Sequence, residues 1–369
     1  NLKFKFDLAS ADARILVRIL PALAQARIQN PLAGQVEFSA DEAHVSAKGF
    51  SMGKLNGQIS GGEINTAYLI SSLKDIEGKF SIIGRDLNVP EISCALGSGR
   101  INLSASINDY LGAQGYKANL KVADLNIKEV LNQTRQDVIL EGIVSFEAAL
   151  EGQGLSSLSE IQPKSGTASL RLKQGKLVNI NVLRIVLDKM SMLPDLVARL
   201  EANLPQRYRA SLAQNDTELK AVNFDMNVSQ GVFNINSGEI DTDVFSVNGN
   251  GTLDLHLNTQ MQAKISIPKD LSDSMAQAVQ ELKYLFDREG RITIPLTIEG
   301  KIPDKLAYLP DLEYLGRQFL ENQGRSEINK LLNKALHRKG DDAGGADSSS
   351  DNSGTTEIIN NVLDKIFKK

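Results

Sequence analysis

The 369-residue sequence contains no tryptophan, one cysteine and three histidines. With a single cysteine, Cys94, the chain cannot form an internal disulfide. His44, His256 and His337 stand far apart, and none has the spacing that a zinc site or a hydrolytic triad requires. Aromatic residues make up only 5% of the chain, so few side chains are available on which sugars or bases could stack. The sequence therefore predicts a protein that is not an enzyme and has no metal or cofactor.

Concentrated positive charge and long apolar runs are also missing. Lysine and arginine number 41 against 45 acidic residues, and no basic stripe appears, which argues against nucleic acid as a partner. No run approaches the length of a membrane-spanning helix, because the candidate at residues 15–26 contains Arg18 and Pro21. The chain begins at Asn1 without methionine, so we expect a fragment or a processed product.

Alternation of apolar and polar residues is the dominant pattern. In the segment Gly290–Gly300, Ile292, Ile294, Leu296 and Ile298 share one face, while the residues between them are mostly polar. A period of two predicts a strand with one dry side. The pattern recurs along most of the chain, which predicts an antiparallel meander rather than βαβ units. Glycine-containing pairs predict tight reversals at 230–231, 237–238 and 248–251.

Helical spacing of apolar residues interrupts the strands. It predicts helices over residues 10–28, 127–132, 183–200, 271–286 and 312–335, with Asp311 as the N-cap of the last. We predict four regions: an N-terminal β-groove segment with capping helices (1–165), a C-terminal β/α region (166–337), a flexible linker (338–356) and an amphipathic helix (357–369).

The predicted terminal helix has an apolar face beside several lysines. Such a helix lies on a membrane surface or docks onto the folded body, and the sequence leaves both open. The residues that would contact a membrane are Ile358, Ile359, Val362, Leu363, Ile366, Phe367, Lys368 and Lys369.

The apolar strand faces also allow two interpretations. In one, the sheet folds over itself and its helices close an ordinary core, which periodicity alone favours. In the other, the sheet curves into an open groove whose dry inside holds acyl chains. The residues that would line this groove are Val222, Phe224, Met226, Val228, Phe233, Ile235, Phe245, Val247, Leu253, Leu255, Leu257, Ile265, Ile267, Ile292 and Ile294.

The order of several short motifs resembles the AsmA-like family of bacterial envelope proteins. The motifs are Gly175–Leu183, Asp216–Leu219, Gly231–Ile235, Phe245–Leu255, Ile294–Gly300 and Pro310–Leu312. The resemblance covers residues 166–369, and the first half shares only the general style.

This resemblance implies a fold and a function. The implied fold is mainly β with interspersed helices (α+β), an antiparallel meander curved into an elongated open groove with C-terminal helices. The implied function is to bind or guide phospholipid acyl chains in the periplasm, contributing to outer-membrane homeostasis; the alternative is a scaffold or assembly factor for outer-membrane proteins. We expect an inner-membrane anchor upstream of this chain, a membrane surface as partner, and no catalytic residues.

Overall fold

The computed structural model describes residues 2–7, 28–46, 49–66, 71–130, 139–155, 161–190, 193, 195–302 and 305–318. These residues form one 15-stranded antiparallel sheet in which the strand order is the sequence order. The strands are β1 (Leu2–Asp7), β2 (Ile28–Ser46), β3 (Gly49–Thr66), β4 (Leu73–Ile83), β5 (Asp86–Leu96), β6 (Gly99–Asn108), β7 (Gly115–Asn126), β8 (Ile139–Gln153), β9 (Gln162–Val178), β10 (Thr217–Ser229), β11 (Val232–Asp241), β12 (Ser246–Asp254), β13 (Asn258–Ser266), β14 (Thr293–Lys301) and β15 (Lys305–Pro310). The mainly β fold, the antiparallel meander opened into a groove and its accompanying helices are thus confirmed.

Short helices lie between some of the strands. They are α1 (Ile127–Val130), α2 (Val182–Asp188), α3 (Leu196–Asn203), α4 (Gln206–Ala213), α5 (Lys269–Ala278), a 3₁₀ segment (Gln280–Leu285) and α6 (residues 312–318). The side chain of Asp311 accepts a hydrogen bond from the backbone N–H of Tyr314 at 2.9 Å, so the predicted N-cap of α6 is confirmed. The predicted single helix over 271–286 is an α-helix followed by a 3₁₀ segment.

The two ends of the sheet differ. Consecutive strands run in opposite directions, so their connections fall alternately at one end and the other. All the helices among the described residues follow odd-numbered strands, namely β7, β9, β13 and β15. The connections after β4, β6, β10 and β12 are short turns at the opposite end. We call these two ends the helix end and the hairpin end.

Strand register aligns one apolar or glycine position on every strand from β2 to β15. Each of these residues lies directly opposite the next one across the sheet, and directly opposed residues of antiparallel strands project to the same face. We call this row the apolar lane. It consists of Val36, Ile59, Gly78, Ile92, Leu103, Leu120, Ala148, Ala168, Met226, Ile235, Gly251, Met261, Ile298 and Tyr308.

Helices close the apolar face at its C-terminal side. Ile265 of β13 and Ile294 of β14 oppose each other and are 0% exposed. They belong to one buried cluster together with Leu200 of α3, Met275 of α5 and Leu282 of the 3₁₀ segment. The cluster stabilises this part of the sheet as an ordinary dry core.

Two of the predicted reversals are wrong. Gly238 lies within β11, and Gly249 and Gly251 lie within β12. These glycines give room to neighbours rather than turning the chain: a Cβ on Gly238 would lie 2.7 Å from the ring of Phe224, and one on Gly251 would lie 2.6 Å from Cα of Met261. The predicted reversal at 230–231 is confirmed, since β10 ends and β11 begins on either side of it.

Several predictions fall outside the described residues. These are the helix over residues 10–28, the linker 338–356 and the terminal helix 357–369 with its membrane-contact residues. The predicted boundary between regions 1–165 and 166–337 lies within β9, and the sheet continues across it. The division into regions stays a prediction.

Candidate functional site

Over β5–β9, further apolar rows flank the lane on both sides. Towards the helix end runs the row Cys94, Ile101, Val122, Phe146 and Leu170. Towards the hairpin end runs the row Val89, Ala105, Ala118, Leu150 and Gly166. Alternate residues of a strand are about 7 Å apart and neighbouring strands about 4.8 Å apart. The three rows therefore cover a surface about 14 Å by 20 Å.

Exposure distinguishes this surface from the closed core. Ile92, Leu103 and Leu120 of the lane are half-buried, and so are Phe146 and Leu170 beside them. The isoleucines of the same face on β13 and β14 are completely buried, because α5 and the 3₁₀ segment lie against them. One continuous face is thus partly open to solvent over β5–β7 and sealed at β13–β14.

Large side chains lie flat over glycines on this side of the sheet. Gly57 is placed between Phe38 and Phe80, whose rings meet edge to face with centroids 5.8 Å apart. A Cβ on Gly57 would lie 2.1 Å from the Phe80 ring, so the ring occupies the space of the missing side chain. Leu150 packs in the same way over Gly166. Side chains that lie along the sheet leave the space above it free.

The reverse face of the same strands is polar. Lys121 and Glu147 form an ion pair at 2.6 Å, and Arg171 pairs with Asp225. A cleft of about 640 Å³ crosses β5–β11. Its lining alternates between polar residues, among them Asn102, Ser104, Asn119, Thr167 and Asn227, and the lane residues between them, Leu103, Leu120, Ala148, Ala168 and Met226. The apolar residues of the flanking rows do not line it, which places the cleft on the polar side. Its side chains suit water or polar groups, and a hydrocarbon chain would leave them without hydrogen bonds.

Titratable groups on the apolar face stay uncharged at neutral pH. Burial raises the pKa of the Cys94 thiol and of the Tyr116 phenol, and it raises the pKa of Tyr308 to about 12. Within the described ranges, no group of three or more histidine, cysteine or acidic residues could hold a metal ion. The face offers contact with apolar groups rather than acid–base or ionic chemistry.

The structure buries most of the predicted lining residues, and Phe224, Phe233 and Leu253 are half-buried. Thirteen of them are buried or half-buried: Val222, Phe224, Met226, Val228, Phe233, Ile235, Phe245, Val247, Leu253, Ile265, Ile267, Ile292 and Ile294. Leu255 and Leu257 were expected in a strand, but they form the β12–β13 turn and are exposed. Leu257 has a φ of +65°, a left-handed conformation that belongs to turns. A role of these residues in lining a lipid groove stays a prediction.

The more open residues were missed because alternation alone does not show what covers a strand. Leu103 and Leu120 belong to runs that the sequence identified as strands, yet nothing marked them as more exposed than Ile265 or Ile294. The position of the predicted helices along the sequence could have indicated which strands a helix covers. The connections after β4, β5 and β6 are too short to carry a helix, so few local elements can cover these strands.

Comparison with known proteins connects this architecture to a family. A search of the curated proteins and of the solved structures found no match. Among the described residues, no helix combines the length and the apolar character needed to span a membrane.

The family model that matches the chain is described as the AsmA family and covers residues 3–237. The match therefore includes the N-terminal strands, for which only a general likeness was expected, and it ends within β11. Since more than half of the sequence is matched, the chain belongs to the AsmA family.

Proposed function

We propose that the chain is a non-enzymatic protein of the cell envelope that binds or guides phospholipid acyl chains on the partly open apolar face of β5–β7. The observation that carries this proposal is the contrast within one face, which is half-buried at Leu103 and Leu120 and completely buried at Ile265 and Ile294. A partly open apolar surface with polar surroundings is a candidate binding site. Membership of the AsmA family is consistent with lipid transport or assembly in the envelope, and a periplasmic location is part of this proposal.

Burial of the lipid tail supplies the binding free energy. Each methylene removed from water contributes about 0.8 kcal/mol, so a chain of about sixteen carbons gains on the order of 10 kcal/mol when fully covered. A sheet covers only one side of the chain, so about half of that gain is available before the cost of association. The charged headgroup stays in solvent, since the rows over β5–β9 carry no ionised side chain.

Alternate residues of a strand point to opposite faces of the sheet. Matched variants can therefore place the same charges on either face. The double variant Leu103→Asp and Leu120→Asp puts two carboxylates on the apolar face. The control Asn102→Asp and Asn119→Asp puts the same two charges on the polar face of the same strands. We expect the first variant to lose binding of a fluorescent fatty acid and to lose lipid that the wild type retains in native mass spectrometry.

The control variant should bind as the wild type does. Equal binding by both variants, or a delipidated wild type without affinity for acyl probes, would contradict the proposal. Loss of binding only in the control would indicate that the lipid binds in the polar cleft.

The sheet edge favours a second candidate, a scaffold or assembly factor for outer-membrane proteins. Within the described part of the chain β15 pairs only with β14, and its Leu309 is 41% exposed. A free edge can add a strand from a partner. This function predicts an envelope protein that co-purifies with the chain and is lost on Leu309→Lys, because edge lysines discourage strand addition. Unchanged co-purification would argue against the edge as its site.

A further inference from the structure

The polar cleft of about 640 Å³ lies between two rows of side chains on the reverse face of the sheet. The row towards the helix end is Asn102, Lys121, Glu147, Ser169 and Asp225, and each of these residues directly opposes the next. The row towards the hairpin end is, in the same way, Ser104, Asn119, Ala149, Thr167 and Asn227. The side chains of the lane residues between the two rows project to the other face, so the backbone of the lane forms the floor of the cleft.

The cleft is long and narrow, and it runs across the strands. Alternate residues of a strand are about 7 Å apart, so the space between the two rows suits a single chain. Neighbouring strands are about 4.8 Å apart, so the stretch from β6 to β10 is about 20 Å long. Asn119, Thr167 and Asn227 are exposed, which leaves the cleft open to solvent. A ligand of this shape is a linear polymer rather than a compact molecule.

The charged side chains of the cleft offer nothing to an anion. Lys121 is the only cation among the lining residues, and its ammonium pairs with the Glu147 carboxylate at 2.6 Å. The Asp225 carboxylate pairs with Arg171 beside the cleft. The remaining charge, on Glu91 at the β5 end, is negative. Because phosphates and carboxylates bind where cations are available, the cleft favours an uncharged ligand.

Uncharged hydrogen-bonding groups make up the rest of the polar lining. They are the amides and hydroxyls of Asn102, Asn119, Asn227, Asn236, Ser104, Ser169 and Thr167. Asn119 donates to the Ser104 hydroxyl at 3.3 Å, and the other five side chains form no hydrogen bond with the described part of the chain. Amides and hydroxyls both donate and accept hydrogen bonds, as the hydroxyls of a sugar do. The free groups of the cleft therefore match a ligand rich in hydroxyls.

We propose that the polar cleft binds an uncharged, linear glycan that lies across the strands, with one sugar unit for each strand. The strand spacing of about 4.8 Å is close to the length of one sugar unit in an extended, β-linked glycan. An extended peptide repeats every 3.3–3.4 Å, roughly, so its polar groups would not keep step with the strands. The inference goes beyond the proposed function and does not depend on it, because the two sites lie on opposite faces of the sheet.

Hydrogen bonds would provide the recognition, since no aromatic side chain lines the cleft. Ala149 lies between Asn119 and Thr167 in its row, and its small side chain leaves space for the C–H groups of a sugar ring. A hydrogen bond that replaces one to water gains little, so each sugar unit contributes weakly. Affinity should therefore rise with the length of the glycan.

Matched variants on the polar face test the site. Thr167→Tyr fills the cleft, whereas Ser165→Tyr puts the same side chain two residues away on the same strand and face, outside the lining. A second variant, Asn119→Ala with Asn227→Ala, removes two amides from the cleft. Its control, Ser165→Ala with Ser229→Ala, removes two hydroxyls that oppose each other outside it. All these side chains are exposed, so urea unfolding should give the wild-type stability for every variant.

Isothermal titration calorimetry measures the binding of chitohexaose, a β-linked hexamer of N-acetylglucosamine. We expect the wild type to bind the hexamer at millimolar concentration and to bind the dimer more weakly. Thr167→Tyr should abolish binding of the hexamer. The double asparagine variant should bind it about tenfold more weakly, because two hydrogen-bonding side chains are lost. Both controls should bind as the wild type does.

A wild type that does not bind chitohexaose would overturn the inference, and so would an equal loss in the cleft variants and their controls. Equal affinity for maltohexaose, whose α-linkages coil the chain, would overturn it as well. Capture of an extended glycine–serine peptide without glycan binding would assign the cleft to another class of ligand and have the same effect. Each variant should bind a fluorescent fatty acid normally, so a failure of the acyl site is detected separately and leaves this inference standing.

Discussion

Two glutamine variants, Leu103→Gln and Ile294→Gln, test whether the apolar face is partly open at Leu103 and closed at Ile294. Full burial of a leucine side chain contributes about 1.5–3 kcal/mol, so the half-buried Leu103 contributes about 1 kcal/mol. At this position the new amide reaches water, and the Leu103→Gln variant should lose only that amount. Ile294 is 0% exposed, so the Ile294→Gln amide would be buried without designed partners. Lost burial and an unpaired amide together should lower the free energy of unfolding by about 3 kcal/mol or more.

Urea unfolding of delipidated protein, followed by circular dichroism, measures both losses. Adding a fatty acid should stabilise the wild type and the Ile294→Gln protein, because ligand binding to the folded state raises its apparent stability. It should stabilise Leu103→Gln less. A loss at Leu103 as large as that at Ile294 would refute the reasoning, since it would show that both positions are sealed.

Three further predictions concern stability. Leu282→Ala should cost about 3 kcal/mol in urea unfolding, because the side chain is fully buried in the closed cluster. Gly57→Ala should cost about 1–3 kcal/mol, since its Cβ would meet the Phe80 ring, and an unchanged midpoint would contradict the packing described. The Lys176 ammonium lowers the pKa of Asp216, so this carboxylate stabilises the fold above its usual pKa of 3.8 and ceases to do so as the pH falls below it. Asp216→Asn should therefore flatten the acid side of a stability–pH profile.

The strands could be predicted from sequence because period-two alternation follows directly from backbone geometry. Glycine was harder to interpret, since the same residue permits a turn and gives space to a neighbour. At 230–231 the glycine turns the chain, and its φ is positive at Gly231 (+81°). At Gly238 and Gly251 it accommodates Phe224 and Met261. Local sequence contains no information about which neighbour will lie opposite, and this is why those two positions were misassigned.

Register could not be predicted either, because it depends on irregularities within the strands. The pairings of β3 with β4 and of β4 with β5 both shift along their length. A shift of one residue would exchange the two faces of a strand. The apolar lane survives these shifts on every strand from β2 to β15. Its continuity is therefore a property of the assembled sheet, and no single segment displays it.

The apolar face is covered unevenly because helices occur in only some of the connections between strands. A helix can cover only strands near its own connection, and the longest connections with described helices follow β9 and β13. The strands β4–β7 are joined by turns, so no described helix lies in their own connections. In water, such a surface favours aggregation unless a ligand or a membrane occupies it.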